Sequence, residues 1–465
     1  MNQSDFRSYQ QAMMTFVDSA PAPCDGKACG VGMFADMGAG KTVVGATWLA
    51  HLLASATIRR GLVVTTNINV TSTWPREFAK WDHLKWVPLV CISGPIENRA
   101  EALKQVKSKA LVAVVSYEAF VWMMTQYLAA KKPWPFQAVV FDESTAMKDM
   151  NTLRARVYTQ KFERYVGHTM IMTGTAAPQG YKDLYGQLAL LDRGYRLGRT
   201  QAEFATRYGE PAGYMGKDFV IRDDAKPLIR EAISDICTWV DPSIYLPVHK
   251  QMSNFIQVPL SKANRTLYRT LEREFIANIQ GTDVTVANAA VLSNKLRQMC
   301  NGFIYDESKT ALRVHDDKLE ALQELAESSS QPLLIAVDFT EDAKAILKRF
   351  PKFKFLKAGD TTLQDAFNAG LVPGILGNVK SISRGIDLQH GTNVVAWYGM
   401  VWSGELYVQL NARCGPVRQA QSGLNRGSIV HHIVAEDTIE DRVMARLAAN
   451  IADQEVLHEY LAIAL

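Results

Sequence analysis

The chain lacks any apolar run approaching the ~20 residues that a bilayer-spanning helix needs, so no membrane association is expected. Its first residues, Met1 to Arg7, carry no apolar signal core, and export is not expected either. Cysteine is sparse, with six residues scattered along the chain. Cys24 and Cys29 stand close, but no second Cys or His pair lies near them, which argues against zinc. Free thiols in a reducing cytoplasm are the natural reading. Neither charge sign dominates: 51 basic residues against 47 acidic leave a net charge of +4. That permits a nucleic-acid partner without requiring one, because such proteins grip through local basic patches. No short repeat is visible. What is present is an ordinary globular composition, 48% hydrophobic and 21% charged, in 465 residues. Such a length exceeds one core and suits two or three domains.

Between about residues 30 and 192, strand-like runs alternate with helical stretches: Val31–Ala35, Leu62–Thr66, Leu111–Tyr117, Ala138–Asp142 and Thr169–Thr173. This rhythm reads as α/β, a parallel sheet covered on both faces. From Arg193 to Glu327 the sequence turns polar and helix-rich. There Leu267, Tyr268, Leu271, Phe275, Ile276 and Ile279 form one stripe at 3/4 spacing, read as a helix packing on the sheets. Ser328 to Pro332 marks a break, and a second series follows: Leu333–Val337, Lys354–Lys357, Gly374–Gly377, Asn393–Tyr398 and Ile429–Val434. Two such sheets imply two RecA-like parallel-sheet lobes with a helical insertion between them. The expected domains are 1–192, 193–327 and 328–465, the last closing with a bracing helix from Thr438 to about Asn450.

Three segments carry chemistry. Gly30 to Ala35 is an apolar strand ending in Asp36-Met37-Gly38-Ala39-Gly40-Lys41-Thr42, and a helical pattern follows. Glycines let the backbone approach an anion, and the N–H groups at a helix start face it. Lys41 would neutralise β/γ-phosphate charge, and the Thr42 hydroxyl would ligate magnesium. The full phosphate-loop pattern opens on glycine where this chain has Ala35, one letter short of a complete match. Next, the strand Gln137 to Phe141 delivers Asp142 and Glu143 at its carboxyl end, where open α/β sheets bind ligands. Asp142 would hold magnesium through water, and Glu143 would polarise the attacking water. Last, Gln409 to Arg413, with Arg418 beyond, offers arginine fingers.

With these in order, the chain resembles the Swi/Snf-type branch of the superfamily 2 helicase-like ATPases, in the compact form that many bacteriophages encode. Phe6-Arg7-Ser8-Tyr9-Gln10 resembles the family's opening element, whose Gln reads adenine. Met33 to Thr42 resembles motif I. Leu62 to Thr66 with Thr73 to Trp81 is similar to motif Ia, and Val114 to Glu118 to motif Ib. Asp142 to Asp149 resembles motif II, with Thr145 where His is usual and Asp149 where Asn is usual. Thr173 to Pro178 resembles motif III, Ser381 to Leu388 motif V, and Gln409 to Gln421 motif VI. Two extra residues stand between the arginines of that last motif. Arg413 keeps its spacing from Gln409, so it is expected to be the principal finger.

The resemblance implies ATP and Mg2+ as cofactors. It places Arg7, Gln10, Met37, Gly38, Ala39, Gly40, Gly385 and Asp387 at the nucleotide, and gives Thr173, Gly174, Thr175 and Gln409 a coupling role. ATP is expected in a cleft between lobes. Thr65, Thr66, Ser116, Tyr117, Ser381, Ser383 and Arg384 match positions that contact DNA phosphates; the bland alternative is turn-forming residues at strand ends. Trp74 and Trp81 read as core anchors. The implied function is a DNA-stimulated ATPase that translocates on duplex, forked or branched DNA, remodelling forks or recombination intermediates, including branch migration. A strand-separating DNA or RNA helicase is the near alternative, and a nucleic-acid-binding scaffold with a dead ATPase site the distant one. A monomer in the host cytoplasm is expected, with replication or recombination proteins as candidate partners.

Overall fold

The computed structural model describes residues 1–19, 30–36, 38–106, 110–212, 218–280, 286–306, 310–357, 359–383, 386–424 and 426–461, with the backbone alone for 274–280, 286–290, 454 and 459–461. The chain forms two compact units, Met1–Tyr245 with Asn450–Leu465, and Leu246–Ala449.

The first unit is built on β1 (Val31–Ala35), β2 (Arg60–Thr65), β3 (Leu89–Ile92), β4 (Leu111–Ser116), β5 (Ala138–Asp142) and β6 (His168–Thr173). A small antiparallel hairpin, β7 (Gly209–Ala212) and β8 (Asp218–Ile221), precedes β9 (Cys237–Val240). The sheet order is β3-β4-β2-β5-β6-β1-β9, every neighbour parallel. Successive side chains on a strand point to opposite faces. Phe34, Leu62, Val64, Val115, Phe141 and Ile171 therefore pack with Phe120 and Tyr158, whereas Met33, Val63, Val114, Val140 and Met172 pack with Trp48 and Trp74. Burial on both faces is why these strands read as unbroken apolar runs.

The second unit holds β10 (Gln251–Val258), a short antiparallel pair of β11 (Phe303–Tyr305) and β12 (Ala311–Arg313), then β13 (Leu333–Val337), β14 (Lys354–Phe355), β15 (Gly374–Asn378), β16 (Val394–Trp397) and β17 (Ser428–Ala435). Its sheet order is β10-β17-β16-β13-β15-β14, again all parallel. Leu333, Ile335, Val337, Ala396 and Ile433 meet Leu322 and Ile346 on one face. The α/β class with two parallel sheets is thus present.

Residues 193–327 form no unit of their own, which corrects the expected three-part division. Residues 193–245 complete the first sheet through β9, and 246–327 belong to the second unit. The reason is local. β9 is only Cys-Thr-Trp-Val, and β10 is an edge strand whose side chains are mostly exposed, so neither carries a long apolar signal. The striped helix is present as Lys262–Gln280. Tyr268 is its buried anchor, while Leu267 is exposed, and the side chains of Phe275, Ile276 and Ile279 fall outside the described residues. The closing helix is longer than expected, Ile439–Leu461. Its start belongs to the second unit, where Glu440 meets the buried Lys318 at 2.8 Å. Its end belongs to the first, where Lys226 pairs with Asp453 at 2.7 Å and His458 stacks on Trp239. No described helix is long and apolar enough to cross a membrane.

Candidate nucleotide site

β1 ends at Ala35, and the chain turns through Gly38 (φ +86°) and Gly40 (φ +81°) into the helix Lys41–Ala54. Both glycines adopt the left-handed conformation that side chains resist, so the loop needs them. Ala35 sits in extended backbone paired with Val240 of β9, and the missing first glycine of the motif is therefore not required there. The helix has no acidic residue in its first turn, which leaves its N-terminus favourable to an anion. Lys41 Nζ donates to Ala35 O at 2.5 Å and Asp36 O at 3.2 Å, which holds the ammonium over the loop. A Cβ on Gly40 would lie 2.2 Å from Gln10 Nε2, so the predicted adenine-reading glutamine is packed against the phosphate loop. Arg7 donates its backbone N–H to Gln10 Oε1 (2.9 Å) and its Nη1 to Tyr9 Oη (3.1 Å). Burial pushes the Asp36 carboxyl up to about 6, reinforced by Asp241 beyond β9 and opposed by Lys41. Met37 lies outside the described residues.

In the sheet order, β6 alone separates β1 from β5, so the phosphate loop, Thr173 and Asp142 emerge side by side at one edge. Asp142 is buried, and its Oδ2 accepts from Thr65 Oγ1 (2.8 Å) and Trp74 Nε1 (3.0 Å). Both donors fall on one oxygen, which leaves Oδ1 as the atom able to face a hydrated cation. Mg2+ usually keeps several waters and takes one or two carboxylates plus substrate phosphates. Asp142 and the Thr42 hydroxyl fit that modest donor set, and among the described residues no cluster of three or more His, Cys, Asp or Glu suggests another metal site.

Glu143 has φ +57° and ψ +54°, the left-handed region. For a non-glycine residue this costs ~1–2 kcal/mol. The turn is nevertheless fixed on both sides. Tyr117 Oη donates to Asp142 O (3.0 Å) and Glu143 O (3.3 Å). Ser144 Oγ donates to Gln187 Oε1 (2.7 Å), and Gln187 Nε2 donates to Ala176 O (2.7 Å) and Asp183 O (2.9 Å). Lys148 pairs with Asp183 at 3.0 Å. In the neighbouring segment Thr175 donates its N–H to Thr173 Oγ1 at 3.1 Å, making a compact turn around Gly174.

Several residues expected to contact DNA face inward instead. Thr65, Ser116, Tyr117 and Ser383 are buried. Thr65 and Tyr117 hold the Asp142–Glu143 turn, and Ser116 caps its helix by accepting from Ala119 N. Their hydroxyls are thus engaged within the protein. Thr66 and Ser381 are half-buried, while Arg384 and Gly385 lie outside the described residues. In the second unit Arg413 is 7% exposed; its Nε donates to Ser383 O (2.8 Å) and its Nη1 to Ile386 O (3.3 Å). Arg418 forms an ion pair with Asp387, whose side chain is 41% exposed. Gln409 is buried, and its amide donates to Glu405 at 3.0 Å. The arginine chosen by spacing is thus a latch on its own neighbourhood, and Arg418 is the more accessible of the two.

The SNF2-related domain matches residues 9–303. The chain belongs to that family. Its two parallel-sheet units are the two RecA-like lobes of an ATP-hydrolysing superfamily 2 enzyme. The chain is 33% identical over 441 residues to "Putative protein p41" of Acyrthosiphon pisum secondary endosymbiont phage 1, covering 92% of this chain and 94% of that one. It is 22% identical to "Putative ATP-dependent helicase/translocase YwqA" of Bacillus subtilis, covering 91% of this chain and 46% of that one. In four other cellular relatives the matched stretch covers between 15% and 31% of their lengths. A solved structure, the Sulfolobus solfataricus SWI2/SNF2 ATPase core in complex with dsDNA, aligns with 99% of this chain and 98% of that one at 16% identity and a TM-score of 0.44.

In this SNF2-related chain the sequence missed Gln187, Asp241 and the polar end of Trp74. Trp74 is the buried anchor expected, but its indole N–H also holds Asp142. Gln187 had a signal: it is the only amide in the apolar run Leu184 to Leu191. Asp241 had none, since its importance comes from β9 pairing beside β1.

Proposed function

We propose that this SNF2-related enzyme is a DNA-dependent ATPase that moves along duplex, forked or branched DNA and remodels it, with branch migration as one outcome. The observation that carries the reading is the convergence of Lys41, Thr42, Asp142 and Glu143 at the carboxyl ends of β1 and β5, which only β6 separates in the sheet. Gln10, packed on the phosphate loop, supports recognition of the base. Family membership and the naming of YwqA as a helicase/translocase support a nucleic-acid track.

In this reading Lys41 leaves the loop carbonyls to neutralise the β/γ-phosphates. Thr42 and Asp142 would hold Mg2+, which would screen phosphate charge. Glu143 takes the proton from the attacking water. Arg418 supplies the positive charge that meets the departing γ-phosphate, exchanging Asp387 for it; arginine fingers are worth about 10³–10⁵ in comparable NTPases. Arg413 holds the loop around Ser383 and Ile386. Loss of the γ-phosphate then resets the site, and repeated turnover moves the enzyme along DNA.

The test is ATP turnover with single-stranded, duplex, forked and four-way DNA, for the wild type and Lys41→Ala. Turnover should rise with duplex or branched DNA and vanish in the variant, while DNA affinity persists. Wild-type turnover in Lys41→Ala would remove the phosphate-loop assignment, and turnover indifferent to every DNA would remove the translocase.

A further inference from the structure

The residue read as the water-activating carboxylate sits on backbone that a non-glycine residue rarely adopts. Such a conformation persists only where its surroundings over-determine it. Here the restraints are two buried side chains: Tyr117, which the motif pattern assigns to DNA, and Gln187, to which it gives no part. We propose that Tyr117 and Gln187 are positioning residues for Glu143, forming a clamp that fixes its carboxylate for attack. The proposal rests on the reading of Glu143 given above.

Tyr117 acts before the turn and across it. Its hydroxyl reaches the carbonyls of both Asp142 and Glu143, the two peptide groups whose rotation would let Glu143 leave its left-handed state. The ring is buried at the start of the helix Tyr117–Ala129, so the hydroxyl cannot follow the turn if the turn moves. Gln187 acts after it. It accepts from Ser144, the next residue, and uses both amide protons on Ala176 O and Asp183 O. Its amide is therefore fully committed, which fixes its orientation. Gly186 beside it admits the Lys148 carbonyl so closely that a Cβ would sit 2.2 Å away, so the helix Leu184–Asp192 packs directly against the segment after the turn.

Packing alone does not call for these groups. A phenylalanine ring would fill the space of Tyr117, and an apolar side chain would suit position 187 in an otherwise apolar helix. What the polar atoms add is direction. The clamp also ties Glu143 to two segments at once, the start of the Tyr117 helix and the stretch beyond Thr175, so movement of either is felt at the carboxylate.

The test uses Tyr117→Phe and Gln187→Met, each alone and combined with Glu143→Gln, in the full chain. Measured are kcat and KM for ATP with duplex DNA, duplex affinity, melting temperature, and residual single-turnover hydrolysis in the Glu143→Gln background. Both single variants should lose about 10- to 100-fold in kcat, the scale of a misplaced reacting group. KM and DNA affinity should stay within about twofold, because ground-state binding is untouched. In the Glu143→Gln background the further loss should disappear, since residues acting through one another are not additive. Tyr117→Phe keeps the ring and carries the test should Gln187→Met fail to fold. An inactive Glu143→Gln beside fully active Tyr117→Phe and Gln187→Met would overturn the clamp alone. An undiminished further loss in the double variants would overturn it too, showing action by another route. Wild-type hydrolysis by Glu143→Gln would overturn the reading of Glu143 and the clamp with it.

Discussion

Arg413→Ala should damage the fold of the second unit, and Arg418→Ala the chemistry. The Arg413 guanidinium is buried and donates to two carbonyls, Ser383 O and Ile386 O. Removing it strands both acceptors, at ~1–3 kcal/mol for each buried group left unsatisfied. Together with the space vacated, a loss of about 2–5 kcal/mol is expected. That is a large share of the ~5–15 kcal/mol that holds a domain together. Arg418 differs because its pair is open to solvent on one side: its own side chain is 15% exposed and that of its partner Asp387 41%. Ion pairs of that kind contribute about 0–1 kcal/mol, so its removal should hardly shift the melting temperature. As the finger, however, it should lose at least ~10³-fold in turnover. The assay pairs thermal melting with ATPase rates at saturating ATP and duplex DNA. An Arg413→Ala protein that melts like the wild type yet does not hydrolyse would restore Arg413 as the finger. Full turnover in Arg418→Ala would exclude Arg418.

Two further outcomes follow from single positions. Gly40→Ala places a Cβ at φ +81° and 2.2 Å from Gln10 Nε2, so it should weaken ATP binding and loosen Gln10 together; unchanged affinity in a nucleotide titration would show that the loop tolerates a side chain. Burial pushes the Glu163 carboxyl from 4.5 up to about 7, with Asp192 adding to the rise and Arg193 opposing it. The folded state therefore keeps a proton that the unfolded chain has released, and a penalty grows as pH rises from 4.5 through about 7. Glu163→Gln removes that penalty, which is roughly 3 kcal/mol at most. Its melting temperature should exceed the wild type at pH 8, with the gap closing towards pH 4.5; a gap constant with pH would refute the assignment.

The nucleotide edge was legible in the sequence because its parts are contiguous. β1 and β5 appear with the bounds read from their apolar runs, and Gly38 and Gly40 occupy the conformations a phosphate loop needs. What pattern could not reach were features made by strand neighbours. β9 carries only four residues, yet by pairing with β1 it brings Asp241 beside Asp36. β10 is an edge strand with little apolar face, so a break in the strand rhythm was read as a separate helical region. Motif VI was less legible for a related reason. Spacing from Gln409 selects Arg413, but spacing says nothing of whether a guanidinium turns outward or onto carbonyls of its own loop.

The inward-facing hydroxyls change what the DNA-side segments can be doing. Thr65 ends β2, which pairs with β5, and Tyr117 follows the end of β4, one strand further out. A hydroxyl at such an end has a carboxylate or a bare carbonyl within reach, and burial makes leaving either unpaired costly. Both hydroxyls are therefore spent on Asp142 and Glu143. Among the described residues of these segments, backbone N–H groups and half-buried Thr66 remain to meet a phosphate. Substituting Thr65 or Tyr117 should then leave DNA affinity nearly untouched while slowing hydrolysis. The same strand ends that would feel the DNA are bonded directly to the turn proposed to activate water, which would give DNA stimulation a short physical route.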